Sequence, residues 1–235
     1  MIDLENEVVK EITNVLVMQD PESHQLYLES INNESGDGTQ NSRFTHRWDY
    51  RYNNLIKVAK KHRLKYVKLS RGKLWEAILV IGPENELYVF FSKANLRNIL
   101  KRGKENHYLK LLNLFNEQLD EMETLRSQIT LPFEHDEEEW DDSLLLQARE
   151  MLHMMEEEPS KVIVFAFDTS FISTVTAFAF NSHHELVWEK ELTELIDVNY
   201  HLVLQDDQID PEERESSTFN EAKKDKKRIV KLKAN

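Results

Sequence analysis

VIVFAFDTSFISTVTAFAFNSHHELVW, residues 162–188, reads as an apolar strand, a turn at Asp168 and a second apolar strand. The runs at 161–168 and 172–181 are too short for buried helices and rich in Val, Phe and Thr, which fit a pleated surface. Asp168-Thr169-Ser170 supplies turn chemistry, because Asp and Ser side chains bond local backbone. Asn181-Ser182-His183-His184 makes the next turn, and ELVWEKEL (185–192) carries a third strand.

A second strand group lies upstream. KYVKLS (65–70) is followed by LWEAILVIG (74–82) and ELYVFFS (86–92), the last two flanking Pro83-Glu84-Asn85 as a hairpin. The remainder is helical in pattern. Leu4, Val8, Ile12, Val15 and Leu16 share a face over residues 3–19, with Asp3 as the expected cap. Asp20-Pro21 opens a second helix, and 32–42 is a polar loop. A third helix is expected over 49–63, with Tyr52, Leu55, Ile56 and Ala59 inward and Arg51, Lys57, Lys61 and Arg63 outward. A helical region spans about 94–128, broken at Gly103, with Leu109, Leu112, Leu114, Phe115, Leu119 and Met122 on its apolar side. The acidic linker EHDEEEWDD (134–142) leads to a helix over 142–157.

Runs of helices and then strands, without βα alternation, predict an α+β fold. The expectation is a small mixed or antiparallel sheet from the two strand groups, packed by several helices, with a polar C-terminal tail. A single domain over 1–200 would comprise N-terminal helices (3–32), a basic helix–hairpin–helix core (44–128), the acidic linker and helix (134–157) and C-terminal strands (160–191). One shared core is favoured because neither three-stranded group is covered alone. Residues 201–235 have few apolar positions and read as a solvated, largely disordered tail.

Composition narrows the function classes. The 235 residues contain no cysteine, which removes disulfides, thiolate metal sites and cysteine nucleophiles and suits a reducing, cytoplasmic setting. With five glycines, no phosphate-cradling loop of either standard spacing occurs. No apolar run approaches the roughly 18 residues that cross a bilayer, so no membrane partner is expected. The N-terminus is acidic and helix-patterned, unlike a secretory signal.

The net charge of −13 hides a division. Residues 1–41 hold nine acids and one base, 42–110 seventeen bases and five acids, and 111–222 twenty-eight acids and five bases. The last thirteen residues return to seven bases and one acid. Such asymmetry suits a basic surface for an acidic partner, or for the protein's own acidic half.

RGKLWEAILVIGPENELYVFFSKANLRNILKRGKENHYLKLLNLFN, residues 71–116, resembles an uncharacterised domain-of-unknown-function family of Gram-positive bacteria and their prophages. The residues carrying the resemblance are Arg71-Gly72 before Trp75, the strand into Leu87-Tyr88, the basic helix after it, and His107-Tyr108 before a leucine-rich helix. Arg47-Trp48-Asp49, the strand pair near Asp168 and the acidic turn at 192–196 extend it to about residues 44–197. The resemblance implies a bacterial or phage cytoplasmic protein and no particular activity.

Catalytic readings are poorly supported. An Asp ending a strand suits a two-metal nuclease, but that chemistry needs several carboxylates around ions about 4 Å apart, and only 67 residues follow Asp168. The nine histidines lack H-E-x-x-H spacing, and no G-x-S-x-G elbow is present. Neither catalytic residues, a metal site nor a cofactor is expected. The leading expectation is a non-enzymatic binding protein whose basic central surface takes nucleic acid without strong sequence preference. The binding residues would be Arg51, Lys57, Lys60, Lys61, Arg63, Lys65, Lys68, Arg71, Lys73, Arg97, Lys101, Arg102 and Lys104, gathered on one side. The alternatives are a mobile-element protein–protein regulator or inhibitor of a host complex and, remotely, a metal-dependent nuclease. Trp48 and Trp140, at the edges of charged segments, are the candidate interface aromatics; Trp75 and Trp188 fit the core.

Overall fold

The computed structural model describes residues 1–18, 21–70, 75–102, 107–125, 142–153 and 155–197. Three helices come first: α1 (Asn6–Val17), α2 (Pro21–Ser30) and α3 (Arg43–Lys61). Strands β1 (Lys65–Ser70), β2 (Glu76–Ile81) and β3 (Glu86–Ser92) follow. Then come α4 (Lys93–Arg102), α5 (Tyr108–Asn113) with a 3₁₀ turn Leu114–Leu119, and α6 (Asp142–Met151). The chain returns to strands β4 (Lys161–Asp168), β5 (Thr174–Phe180) and β6 (Leu186–Glu191), closed by a 3₁₀ turn Thr193–Leu195.

All six strands lie in one sheet in sequence order. Within each group neighbours are antiparallel, and the groups join through a parallel pair, β3 with β4, from Glu86↔Lys161 to Ser92↔Phe167. The architecture is a mixed-sheet α+β fold with one main core that draws on both strand groups and a small second cluster of Leu119, Ala179 and Val187. A parallel pair needs a long crossover, and the stretch carrying α4 to α6 provides it.

Period-2 geometry assigns the two faces. Tyr88, Phe90, Phe165 and Phe167 share one face: the Tyr88 and Phe90 rings meet Phe165, and Phe167 meets Trp48 of α3. Phe91 looks the other way, onto Tyr108 of α5 at 5.4 Å between ring centroids. Helices α1 and α3 therefore cover one face, while α4 and α5 cover the other, with α6 against α5. Consecutive apolar residues such as Phe90 and Phe91 can both be buried, at 2% and 1% exposure, only in a sheet covered on both sides.

A buried amide closes the centre. The β4–β5 ladder stops at Val164↔Phe178, and Asn116, fully buried, takes the next rung. Its Oδ1 accepts from the Val162 N–H at 2.6 Å, and its Nδ2 donates to the carbonyls of Val162 at 3.0 Å and Phe180 at 2.6 Å. The side-chain amide thus replaces a missing peptide partner, which buried strand ends require.

Several boundaries differ from expectation. Helix α3 starts six residues early, where α2 supports its first turn: Tyr27 stacks on His46 at 4.9 Å and its hydroxyl meets the Ser42 Oγ at 3.2 Å. The helix after His107 ends at Leu119, which leaves Met122 exposed instead of on an apolar face. Helix α6 stops at Met151, short of 157. Asp3 does not cap α1: the N-cap is Glu5, and the Asp3 carboxylate turns to Lys161. Gly103, most of the acidic linker and the tail lie outside the described residues. Among the described residues, no helix is long and apolar enough to cross a membrane.

Candidate functional site

The basic residues divide into two sets on opposite faces of the sheet. One runs from the second half of α3 into β1. Tyr52, Leu55, Val58 and Ala59 turn to the sheet, so Lys57 and Lys60 face water. The helix ends in a Schellman arrangement: the Arg63 N–H donates to the Lys60 carbonyl at 3.2 Å and the Leu64 N–H to the Ala59 carbonyl at 2.8 Å. That geometry places Arg63 in the left-handed region, φ 56°, a seat usually held by glycine, and leaves it exposed. Strand β1, at the sheet edge, alternates: Tyr66 and Lys68 share the α3 face, whereas Lys65 points with Val67 and Leu69 to the face that carries α5.

Some of these cations are already engaged. Lys61 bonds Glu11 of α1 at 2.5 Å with Glu7 at 3.8 Å, Lys65 meets Glu156 at 3.2 Å, and Lys68 meets Glu76 at 3.0 Å. Lys57 donates to Asn54 at 3.1 Å. Lys57, Lys60 and Arg63 form no ion pair with a carboxylate among the described residues.

Arg51 corrects the sequence reading. It stands four residues before Leu55 and three after Trp48, in the middle of the inward stripe, and is 8% exposed. Its Nε donates to the Leu16 carbonyl at 2.8 Å, and its guanidinium lies 4.6 Å from the Phe167 ring centre and 5.8 Å from that of Trp48. Burial lowers its pKa to about 10. Arg51 fastens α1, α3 and β4 together and is withdrawn from any surface.

The second set does not join the first. Arg97 and Lys101 are exposed on α4, whose Lys93 bonds Thr174 at 3.0 Å on the opposite face from α3. The expectation of one common basic side is therefore corrected: α3 and α4 sit on different faces of the sheet. Arg71, Lys73, Lys104 and the Arg102 side chain lie outside the described residues, as does Trp140. Trp48 is half-buried against Tyr52, Trp75 and Phe167.

A cleft of about 950 Å³ opens beside the α3–β1 turn. Leu4, Val8, Leu64 and Ile81 give it an apolar floor, and Arg63, Lys65, Glu5 and Glu156 contribute charges of both signs. Next to it, Glu7, Glu11 and His62 bring three ligand atoms within 4.8 Å of one another. The Lys61 ammonium already serves these carboxylates as their cation. Partial burial raises the Glu11 pKa, but the bonds from Lys61 and His62 outweigh it and hold the carboxyl below its usual range. Sequence inspection missed this group because two of its members lie on α1 and the third, His62, caps α3 more than 50 residues later.

Asp168 is a turn residue. Its Oδ1 accepts from the Ser170 N–H at 2.9 Å and the Ser170 hydroxyl at 2.7 Å. The turn it organises projects Phe171 and Ile172 into water, at 88% and 71% exposure. Burial lowers the pKa of the neighbouring Lys93, against the pull of Glu191 and Asp168.

A model of a family of unknown function (DUF5986) matches residues 6–235, and the chain belongs to that family. No curated protein and no solved structure matches it.

Proposed function

We propose that the protein is a non-enzymatic binding module whose α3–β1 rim takes a polyanion, nucleic acid foremost. One observation carries this reading: Lys57, Lys60 and Arg63 stand in water without a carboxylate partner among the described residues, on one continuous helix–strand corner. Lys68, on the α3 face of β1, extends that corner, and its ion pair with Glu76 is exposed enough to be exchanged for phosphate; Lys65 stands by the turn but points to the other face. Tyr66, which shares a face of β1 with Lys68, suits stacking as well as charge. A bacterial or phage origin and a cytoplasmic setting belong to the same proposal.

The test is titration of labelled single-stranded and duplex oligonucleotides at several salt concentrations. If Lys57, Lys60, Arg63 and Lys68 meet duplex phosphates, the logarithm of affinity falls with the logarithm of salt at a slope of about −3.6, roughly 150-fold between 50 and 200 mM, and at about −2.8 for a single strand. Reversal of Lys57 and Lys60 to Glu abolishes binding, whereas reversal of Arg97 and Lys101 leaves it within about twofold, because α4 lies across the sheet. Equal effects of the two pairs, or no binding at low salt, would reject the rim.

A second reading, a protein–protein regulator, has its own support in Phe171 and Ile172, two large apolar side chains held out by an ordered turn. A stoichiometric partner recovered with the wild type and lost with Phe171→Ser/Ile172→Ser would favour it over the rim.

A further inference from the structure

Two carboxyl groups meet beside the start of β3 with no donor between them. Glu86 is fully covered, at 0% exposure, and stands opposite Lys161 in the parallel ladder. Its Oε2 accepts from the Glu84 N–H at 3.1 Å and presses so close to Gly82 that a Cβ there would stand 2.2 Å away. Its Oε1 is buried as well, and among the described residues no N–H or O–H donates to it. The carboxyl of Asp3 stands beside it: it ion-pairs with Lys161, the residue facing Glu86 across the ladder, and the Asp3 N–H donates at 3.2 Å to the hydroxyl of Tyr88, which shares the face of Glu86. Two ionised carboxylates so placed repel each other, whereas one shared proton turns the contact into a strong hydrogen bond.

We infer that Glu86 is a proton-binding site that fastens the N-terminal segment to the sheet: its neutral acid donates from Oε1 to the Asp3 carboxylate, and loss of that proton releases Asp3. The surrounding groups decide which acid keeps the proton. Lys161 of β4 ion-pairs with Asp3 and favours its ionised form. Tyr88 of β3 accepts from the Asp3 N–H at 3.2 Å, and burial keeps its phenol neutral. The ion pair with Lys161, followed by the bond from Glu86, lowers the Asp3 pKa; burial, followed by the bond to Asp3, raises that of Glu86. A single cation thus balances a single anion, and the second carboxyl stays neutral.

The sign of the pH dependence follows. A raised carboxyl contributes stability that is lost as pH rises through its folded pKa, and a lowered one contributes stability that is lost as pH falls through its own. The clamp is therefore closed between the two values and opens on alkalinisation past that of Glu86. Asp3, Leu4 and Glu5 line the cleft beside the α3–β1 turn, so its opening frees one wall of that cleft.

The experiment is a carboxyl-carbon NMR titration of the full chain, with heteronuclear NOE values for residues 2–5, on wild type, Glu86→Gln, Glu86→Ala and Asp3→Asn. Glu86 is expected to titrate above, and Asp3 below, an ordinary carboxylate. Residues 2–5 should loosen with rising pH in the wild type and stay ordered in Glu86→Gln, whose amide donates permanently where the acid carries its proton. In Asp3→Asn the Glu86 midpoint should fall. A wild-type Glu86 midpoint at or below the ordinary value overturns the inference, whether or not the variants fold. So does a Glu86→Gln protein as loose at residues 2–5 as Glu86→Ala.

Discussion

Replacing Arg63 by glycine should stabilise the protein while weakening its rim. Arg63 holds the left-handed position of a completed Schellman cap, φ 56°, with both cap hydrogen bonds formed. For a residue bearing a Cβ this conformation costs roughly 1–2 kcal/mol. Glycine removes that cost and loses roughly 0.5–1 kcal/mol to its freer unfolded chain. The net gain for Arg63→Gly is about 0.5–1 kcal/mol, which for a domain of this size raises Tm by roughly 1–4 °C. Arg63→Ala removes the same charge and keeps the Cβ, so comparing the two variants isolates the backbone term. Urea denaturation of both, beside wild type, measures it. Oligonucleotide binding should weaken equally in both, with a salt slope shallower by about 0.9 for the lost phosphate contact. A glycine variant no more stable than the alanine variant would refute the cap reading; unchanged salt slopes in both would remove Arg63 from the rim.

Asn116→Ala deletes three buried hydrogen bonds and strands the Val162 amide and two carbonyls, and should cost about 3 kcal/mol in urea denaturation. Arg51→Lys keeps the charge but loses the planar contact with Phe167 and the Nε bond to Leu16; it should lower stability by about 2 kcal/mol and leave oligonucleotide affinity unchanged, measured on the same preparation. Glu11→Gln should destabilise at neutral pH and converge with wild type in acid. The lowered Glu11 contributes stability above the ordinary glutamate value of 4.5 that disappears as pH falls through its folded value, so denaturation midpoints across that range provide the check.

The strands were the most legible part of the chain. β1, β3 and β4 begin and end where their apolar or alternating runs meet Pro, Asn, Asp or Ser, and a shared core followed from the bareness of either group alone. The parallel junction of β3 with β4 was not legible, because no local pattern states which strands pair across a crossover of 68 residues. Within the site, Lys57 and Lys60 followed from helical period. Arg51 was misplaced because a charged residue on the inward stripe was assumed to turn outward, whereas a guanidinium can lie on aromatic faces and bond a carbonyl. Arg63 hid its role for a related reason: the left-handed cap seat carries a signature when glycine fills it, and none when arginine does. Asn116 and Glu86 look like ordinary polar letters until the fold surrounds them.

The division of charge along the chain is partly spent inside the molecule, and the manner of spending decides which cations a partner meets. Glu11 holds Lys61 from a side chain only 26% exposed, so that pair persists against competing anions. Lys65 and Glu156 are 74% and 86% exposed, and Lys68 and Glu76 are 59% and 53% exposed. Exposed pairs of this kind are worth at most about 1 kcal/mol, less than a phosphate backbone returns through counterion release at low salt. On the proposed reading, the acids bordering β1 would be weak competitors, displaced by a denser anion. Among the described residues β1 ends the sheet, and lysines on such a strand discourage pairing with another sheet. If the proposed rim is correct, three unpaired cations and the exchangeable Lys68 on the same face favour a chain of closely spaced anions over isolated carboxylates, one of which, Glu76, already meets Lys68.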